Sequence, residues 1–373
     1  MEADDCQTSR GAILSFLLMQ CSVACPSMPE KRGVNSALSE YVKFLPLEPL
    51  PTFWTEDERA LLKGTSLEPA LQAKLKALYR EYDMFRTATE KISWCATCWW
   101  DEVDGVLSFD DWLQVDAMYR SRALEFPGIG DCMAPCIDMA NHESGEITKA
   151  IYEVDSDGNA LLLLRDGQTV EDGGQVSITY GDRKGACELL FSYGFLETGM
   201  ENARELFLDL SIPADDPLGR AKNAVANTAP GVKLVQRYDG VEWESDYIWL
   251  ICVNEEDGLD FAVQETTEGE RELKTFWKGQ EISSMDGFED LLKQDEHWPI
   301  FKLRAFSIVR ERVENSLELM IEAHTEQEVS GNTQANDVRE RPRQLVAQLR
   351  ELEGELLEAA RQNCDTTVSF IYI

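Results

Sequence analysis

The sequence is poor in positive charge and in histidine. Its 373 residues include 35 Lys and Arg against 69 Asp and Glu, which gives a formal net charge of −34, and only three His. Such a surplus of negative charge repels phosphate backbones and anionic lipid, so the composition argues against direct binding to nucleic acid or to a membrane surface. A basic protein partner is compatible with it, and so is the simpler interpretation that the acidic surface serves solubility.

The sequence also lacks an apolar run that could cross a bilayer. The best candidate, AILSFLLMQCSVAC at 12–25, is shorter than the roughly 20 residues that a spanning helix needs. The residues before it include Glu2, Asp4 and Asp5 and a single Arg10, which is the wrong charge for a secretory signal. The run therefore predicts a buried helix.

The ten cysteines show no clear disulfide or zinc framework. The chain has no Asn-x-Ser/Thr acceptor, so we expect reduced thiols and a cytoplasmic or nuclear protein. Cys95 and Cys98 have the spacing of zinc ligands, and Cys132 and Cys136 form a looser pair. Without a second tight pair, buried small hydrophobic side chains are the better interpretation, and we predict no metal site.

Helical patterns dominate the first hundred residues. Thr55 and Glu58 have capping-box spacing, and Gly64 stands where a glycine ends a helix. Leu71, Leu75, Leu78 and Tyr82 then form the apolar stripe of a longer helix. The Trp-rich run that starts at Trp94 has no clear period, and its structure stays open at this point.

Short strand-like runs begin at Glu146. EITKAIYEV, NALLLLRD and QVSITYG are separated by Asp-Gly and Gly-Gly turns, and the last run predicts that Tyr180 ends a strand and faces inward. Further along, KLVQRY, YIWLICV and LDFAV also predict strands. Apolar stripes near 306–320 and 345–356 predict two late helices, with a polar, mobile connection over EQEVSGNTQANDVRERPRQ between them.

Two segments carry the candidate chemistry. SRALEFPGIGDCMAPCIDMANHE at 121–143 contains Asp138-Met-Ala-Asn141-His142, and QVSITYGDRKGACELLFSYGF at 175–195 contains Tyr180-Gly and Tyr193-Gly-Phe195. In order and spacing these motifs resemble the SET-domain protein methyltransferases. The resemblance is to the branch with the Rubisco large-subunit, ribosomal-protein lysine and actin-histidine methyltransferases. An upstream ALSEYVKFLP followed by Phe-Trp resembles the same branch.

The resemblance implies an α+β fold with two parts. Residues 1–200 are expected to be a SET domain of small β-sheets, incomplete at its amino end, with a helical insertion at about 36–125. Residues 201–373 resemble the largely helical substrate-binding domain of the Rubisco methyltransferases.

The resemblance also implies a cofactor and a role for each site residue. The cofactor is S-adenosylmethionine, held by Asn141, His142, Arg122 and Phe195. Tyr180 matches the catalytic tyrosine, and Asp138, Tyr193 and Tyr152 match residues around the incoming side chain. For Tyr152 ordinary core packing is an equally good interpretation.

The chain departs from the family pattern in two places. The Gly-x-Gly loop expected near the amino end is absent, and Arg183-Lys184-Gly185-Ala186 stands where Lys-Ser-Asn usually follows Tyr-Gly. Either the sequence is a fragment or part of the site has been lost.

Two hypotheses follow from this pattern. The first is a protein-lysine N-methyltransferase that acts on a protein substrate, with a basic ribosomal or histone protein as the candidate and histidine as an alternative acceptor. The second is a non-catalytic interaction module descended from such an enzyme. The sequence names neither the substrate nor the oligomeric state.

Overall fold

The computed structural model describes residues 9–24, 36–47, 49–101, 107–265, 271–334 and 338–371. The chain divides into two compact units. The first comprises residues 1–59, 67–184 and 188–196, and the second comprises residues 60–66, 185–187 and 197–373.

Helices build the amino-terminal part of the first unit. They are α1 (Ser9–Ala24), α2 (Ser39–Phe44), α3 (Glu56–Ala60), α4 (Leu67–Thr89), α5 (Ser93–Trp99) and α6 (Phe109–Arg122). The predicted buried helix is α1, although Cys25 at its predicted end lies outside the described residues. The predicted capping box is also present, because Thr55 and Glu58 exchange backbone-to-side-chain hydrogen bonds at 3.0 and 3.2 Å.

The Trp-rich run, which the sequence left open, forms α5 and the start of α6. Ser108 and Asp111 form a second capping box at the start of α6. The side chains of Trp99 and Trp112 are buried in one apolar core with Leu14, Leu78 and Phe85. Residues 102–106 of the run lie outside the described part of the chain.

Short strands follow the helices. They are β1 (Leu124–Phe126), β2 (Gly130–Cys132), β3 (Asn141–His142), β4 (Ala150–Val154), β5 (Ala160–Leu164) and β6 (Ser177–Ile178), followed by helix α7 (Ala186–Tyr193). β1 pairs with β2 and β4 with β5 as antiparallel hairpins, while β3 pairs with β6 in parallel. The predicted end of a strand at Tyr180 is wrong by two residues, since β6 ends at Ile178.

The second unit has small sheets followed by long helices. Its elements are β7 (Glu205–Asp209), α8 (Gly219–Val225), β8 (Gly231–Arg237), β9 (Gly240–Glu244), α9 (Tyr247–Cys252), β10 (Leu259–Glu265), β11 (Arg271–Trp277), β12 (Gln280–Ile282), α10 (Phe288–Lys293), α11 (Trp298–Gln334) and α12 (Glu340–Ile371). β7, β8 and β9 form one antiparallel sheet, and β10, β11 and β12 form another.

The strand predicted for YIWLICV is wrong, because this run forms helix α9. Five of its six residues are buried, so the run carries no polar positions from which a period could be read. The Ser245 hydroxyl accepts a hydrogen bond from the Ile248 N–H at 3.0 Å and starts the helix.

The predicted long polar connection is also wrong over most of its length. α11 continues to Gln334 and α12 begins at Glu340, so only residues 335–337 of that connection lie outside the description. Once a helix has begun, each added residue costs little, so a polar stretch without an apolar stripe can continue it.

The predicted mixture of small sheets with a largely helical carboxyl-terminal part is confirmed. No helix within the described residues is both long enough and apolar enough to cross a membrane. The same residues contain no group of three or more His, Cys, Asp or Glu side chains that could hold a metal ion.

Candidate functional site

The site is built on two very short strands of the first unit. β3 and β6 pair in parallel, with Asn141 opposite Ser177 and His142 opposite Ile178. The Glu143 N–H extends the pairing by donating to the Ile178 carbonyl oxygen at 3.0 Å. This pairing brings the two segments that carried the sequence motifs side by side.

His142 holds the backbone that follows β6. The Tyr180 N–H donates to Nδ1 of His142 at 2.9 Å, so Nδ1 carries no proton. The two rings also stack, with centroids 5.1 Å apart and planes at 28°. The Tyr180 hydroxyl returns to the first segment by donating to the Ala140 carbonyl oxygen at 2.9 Å. His142 therefore fixes both the position and the ring plane of Tyr180.

Glycines permit the turns that follow both tyrosines. Gly181 has a φ of +132° and Gly194 has a φ of +75°, values that residues with a Cβ rarely adopt. A Cβ on Gly194 would also lie 3.2 Å from the Pro49 carbonyl oxygen. The Tyr-Gly pairs of the sequence are thus required by the backbone.

Aromatic rings from the two segments form one cluster. The Tyr180 and Tyr193 ring centroids lie 4.6 Å apart, and Phe195 lies 5.8 Å from His142 and 6.2 Å from Tyr193. Burial, and then the nearby Glu188 carboxylate, raise the pKa of Tyr193 to about 12. Tyr193 therefore keeps its hydroxyl proton at neutral pH.

Seven of the eight predicted site residues line a single cavity of about 300 Å³, here called the first cavity. Its described lining is Ser121, Arg122, Asp138, Met139, Asn141, His142, Tyr180, Tyr193 and Phe195. One wall is aromatic, and the Arg122 guanidinium and the Asp138 carboxylate supply opposite charges. The structure thus assembles a mixed apolar and zwitterionic surface at the predicted place.

Tyr152, the eighth predicted residue, lies in a second cavity of about 400 Å³. Tyr180 and Tyr193 line this cavity as well, so these two rings belong to both cavities. The second cavity is rich in charge of both signs, from Arg10, Lys74, Asp116, Arg120, Glu125, Asp131, Lys184 and Glu188.

Tyr152 also contacts the apolar core behind the sheets. Its ring packs on Phe126 with centroids 5.1 Å apart, and burial raises its pKa. The position of Tyr152 is therefore compatible both with core packing and with the predicted contact to the incoming side chain.

Asp138 is held by groups that the sequence did not single out. The hydroxyl of Tyr41, on α2, donates to its Oδ2, and Nη1 of Arg122 donates to its main-chain oxygen at 3.0 Å. Tyr41 is 97 residues away in the chain. It lies in the upstream ALSEYVKFLP run, but nothing in that run assigned it a role at the site. Met139, between two motif positions, was also missed.

Curated proteins similar to this chain carry SET domains or methyltransferase names. "SET domain-containing protein 8" of Schizosaccharomyces pombe is 28% identical over 297 residues, which covers 78% of this chain and 66% of that protein. A fructose-bisphosphate aldolase lysine N-methyltransferase of Arabidopsis thaliana is 26% identical over 311 residues, covering 77% and 63%. The Rubisco large-subunit N-methyltransferase of Pisum sativum is 28% identical over 229 residues, covering 58% and 45%. The chain thus spans less than two thirds of each relative. No protein-family model matches it.

Solved structures with the same fold are Rubisco large-subunit methyltransferases. The SET domain of that enzyme bound to methyllysine and S-adenosylhomocysteine superposes with a TM-score of 0.61 at 19% identity, covering 98% of this chain and 79% of that one. The enzyme bound to S-adenosylmethionine gives 0.62 at 17% identity, covering 99% and 78%. In sequence the chain is thus similar to SET-domain and Rubisco large-subunit methyltransferase-like proteins, and it has the fold of the Rubisco large-subunit methyltransferase SET domain.

Proposed function

We propose that the chain is an S-adenosylmethionine-dependent N-methyltransferase that acts on a lysine side chain of a protein. The observation that carries the proposal is the placement of Tyr180 and Tyr193, whose rings line both cavities. A methyl transfer needs two reactants that approach the same point from opposite sides. Two cavities that share a pair of tyrosines supply that arrangement.

The residues of the first cavity fit the cofactor. S-adenosylmethionine has an aromatic base and a zwitterionic amino-acid end, and the cavity offers the rings of Phe195, His142 and Tyr180 together with Arg122 and Asp138. Arg122 suits the carboxylate, and Asp138 suits the ammonium group. The exposed Asn141 would contribute its amide at the edge.

The cofactor would supply an electrophilic methyl group on a positively charged sulfur. The chain's own residues would position the acceptor and favour its neutral form. A free lysine amine has a pKa of about 10.4, so about one in two thousand is neutral at pH 7. The rings of Tyr180 and Tyr193 provide a desolvated wall that disfavours the ammonium form. Their hydroxyls can orient the amine, and alignment of this kind supplies on the order of 7 kcal/mol.

The protein nature of the substrate is supported by the names of two relatives, which act on aldolase and on Rubisco. The net charge of −34 favours a basic target such as a ribosomal or histone protein. On composition we place the activity in the cytoplasm or the nucleus.

Calorimetric titration of S-adenosylmethionine into the full chain tests the cofactor site. We expect micromolar binding that Asn141→Ala abolishes, since Asn141 lies exposed at the cavity and its loss should leave the fold intact. Asn315→Ala, an exposed asparagine on α11, is the matched control and should bind like the wild type. A folded wild-type chain that does not bind the cofactor would refute the proposal and favour the interaction module.

Transfer of a labelled methyl group into the proteins of a cell extract tests the chemistry. We expect the wild type to label at least one protein and Tyr180→Phe to label none. Mass spectrometry of the labelled protein then reads the acceptor residue. A methylated histidine would support the proposed methyltransferase activity and would show that the acceptor is histidine and not lysine.

A further inference from the structure

Tyr41 reaches the first cavity from outside the motif segments. It lies on α2, and its hydroxyl donates a hydrogen bond to Oδ2 of Asp138. Burial and the Asp138 carboxylate raise the pKa of Tyr41 well above its ordinary value, so the hydroxyl stays protonated and remains a donor. The link therefore persists across the physiological pH range.

The other oxygen of the same carboxylate is unsatisfied. The Asp138 residue is 4% exposed, and its Oδ1 makes no hydrogen bond with any described residue. The backbone N–H groups of Asp138 itself and of Cys136 lie beside the carboxylate and oppose the rise of its pKa. A buried carboxylate oxygen without a donor is costly, so it favours a ligand that brings one.

Asp138 is the single carboxylate among the described residues that line the first cavity. Arg122 lies beside it and holds its main-chain oxygen at 3.0 Å. The remaining polar residues of the lining cannot neutralise a cationic ligand group as a carboxylate does. A protonated amine in this cavity therefore has one anionic partner available.

We propose that Tyr41 is a positioning residue for this cavity, which holds Oδ2 of Asp138 so that the carboxylate stays anionic and Oδ1 receives the protonated amine of a bound ligand. The inference rests on the proposed methyltransferase function and names a residue that acts on its ligands through Asp138. The amine is either the α-ammonium group of the cofactor or the ε-ammonium group of the acceptor lysine as it enters, before it loses the proton.

The charges that surround Asp138 agree with this role. Burial raises the pKa of Asp138, while the Tyr41 hydrogen bond and then the Arg122 charge oppose the rise. Cys136 also lies near the Tyr41 hydroxyl. His142, Tyr180 and Tyr193 line the same cavity as Asp138. Loss of the Tyr41 hydroxyl removes the first opposing contribution, so the pKa of Asp138 rises further.

The test compares ligands with and without an amine. S-adenosylhomocysteine carries the α-ammonium group and 5′-methylthioadenosine lacks it, and L-lysine is then titrated into the S-adenosylhomocysteine complex. We expect Tyr41→Phe to weaken binding of an amine-bearing ligand about tenfold or more, the usual range for loss of a hydrogen bond to a charged group. Binding of 5′-methylthioadenosine should stay within about twofold of the wild type. Asp138→Asn should show the same selectivity with a larger loss.

Tyr82→Phe is the matched control. It removes a half-buried hydroxyl that donates to the Leu107 carbonyl oxygen at 3.1 Å, away from the cavity. Tyr82→Phe should leave the binding affinity for all three ligands unchanged. A selective loss for S-adenosylhomocysteine assigns Asp138 to the cofactor amine, and a selective loss for L-lysine assigns it to the acceptor.

The pH dependence of amine binding supplies a second readout. In Tyr41→Phe the loss of binding on acidification should begin at a higher pH than in the wild type, whereas simple loosening of the fold would weaken binding at every pH. If Tyr41→Phe weakens amine-bearing and amine-free ligands equally, or weakens neither, the inference is overturned and the proposed function stands. If the wild type binds neither adenosine ligand, the proposed function fails and the inference fails with it.

Discussion

Two buried carboxylates, one in each unit, have opposite surroundings. Asp116 of the first unit is 1% exposed and contacts three cations: Arg10 at 2.7 Å, Lys74 at 2.9 Å and Arg120 at 3.3 Å. Glu353 of the second unit is also 1% exposed, but among the residues that the structure describes its carboxylate accepts only from Ser66, through the backbone N–H at 3.0 Å and through the hydroxyl. The two carboxylates are therefore equally buried, but cations surround Asp116 whereas neutral hydrogen-bond donors contact Glu353.

The pKa values of the two acids diverge accordingly. Burial alone would raise the pKa of Asp116, but Lys74, Arg120 and Arg10 together hold it below its ordinary value. Burial raises the pKa of Glu353 to about 7, because the Ser66 hydrogen bonds and the charge of Arg350 only partly oppose it. Nearby cations, and not burial, decide whether a buried acid stays ionised.

The two acids should therefore respond to pH in opposite directions. Asp116 has a lowered pKa, so it contributes stability above the ordinary aspartate value, and that contribution is lost as the pH falls through its folded pKa. Glu353 has a raised pKa, so its contribution is complete below its ordinary value and is lost as the pH rises toward about 7.

The largest effect is expected from Asp116→Asn. The change keeps the shape of the side chain and removes the anion from among three cations, so the free energy of unfolding at pH 7 should fall by about 3 kcal/mol. Urea denaturation of wild type and variant measures the loss. Asp83→Asn, an exposed aspartate on α4, is the control and should change the free energy of unfolding by less than about 0.5 kcal/mol. An equally small loss in Asp116→Asn would contradict the view that the cations stabilise through Asp116.

Glu353→Gln makes the same chemical change in the second unit and should have the opposite consequence. Between pH 6 and 8 the wild type should lose on the order of 1 kcal/mol as Glu353 ionises, and the variant should lose none of this. The glutamine oxygen can accept from the Ser66 N–H while the amide NH2 donates to the Ser66 hydroxyl oxygen, so the variant should match or exceed the wild type at pH 8. Denaturation at several pH values checks this, with exposed Glu351→Gln as the control. Parallel pH curves for wild type and Glu353→Gln would show that Glu353 does not titrate in this range.

Local motifs made the grouping of the candidate residues predictable from the sequence. Asn141, His142, Tyr180 and Tyr193 stand in contiguous runs whose order is diagnostic, and the parallel pairing of β3 with β6 then brings those runs together. The contact from Tyr41 to Asp138 was not predictable, because it joins positions 97 residues apart and depends on packing alone.

The fold was predictable where one face of an element is polar. The stripe of α4 has exposed residues on its other side, so its period was readable from Leu71 to Tyr82. α9 is buried at nearly every position, so its sequence is an unbroken apolar run that shows no helical period and was predicted as a strand. The prediction was wrong at the polar ends of α11 and α12 for the opposite reason, since these ends have few apolar positions from which a helical period can be read.

The smallest effect is expected from Lys74→Gln, which removes one of the three cations around Asp116. Arg10 and Arg120 remain, so Asp116 should stay ionised at pH 7, and the free energy of unfolding should fall by about 1 kcal/mol or less. The pKa of Asp116 should rise toward its ordinary value, so acid unfolding should begin at a higher pH than in the wild type.

Below the pKa of Asp116 the variant and the wild type should become equally stable, because a neutral carboxyl gains little from the lysine. Lys76→Gln changes an exposed lysine on the same helix and controls for helix propensity and net charge. A constant difference between Lys74→Gln and the wild type at all pH values would show that Lys74 stabilises by packing its methylene groups. A difference that disappears on acidification would show that it acts through the charge of Asp116.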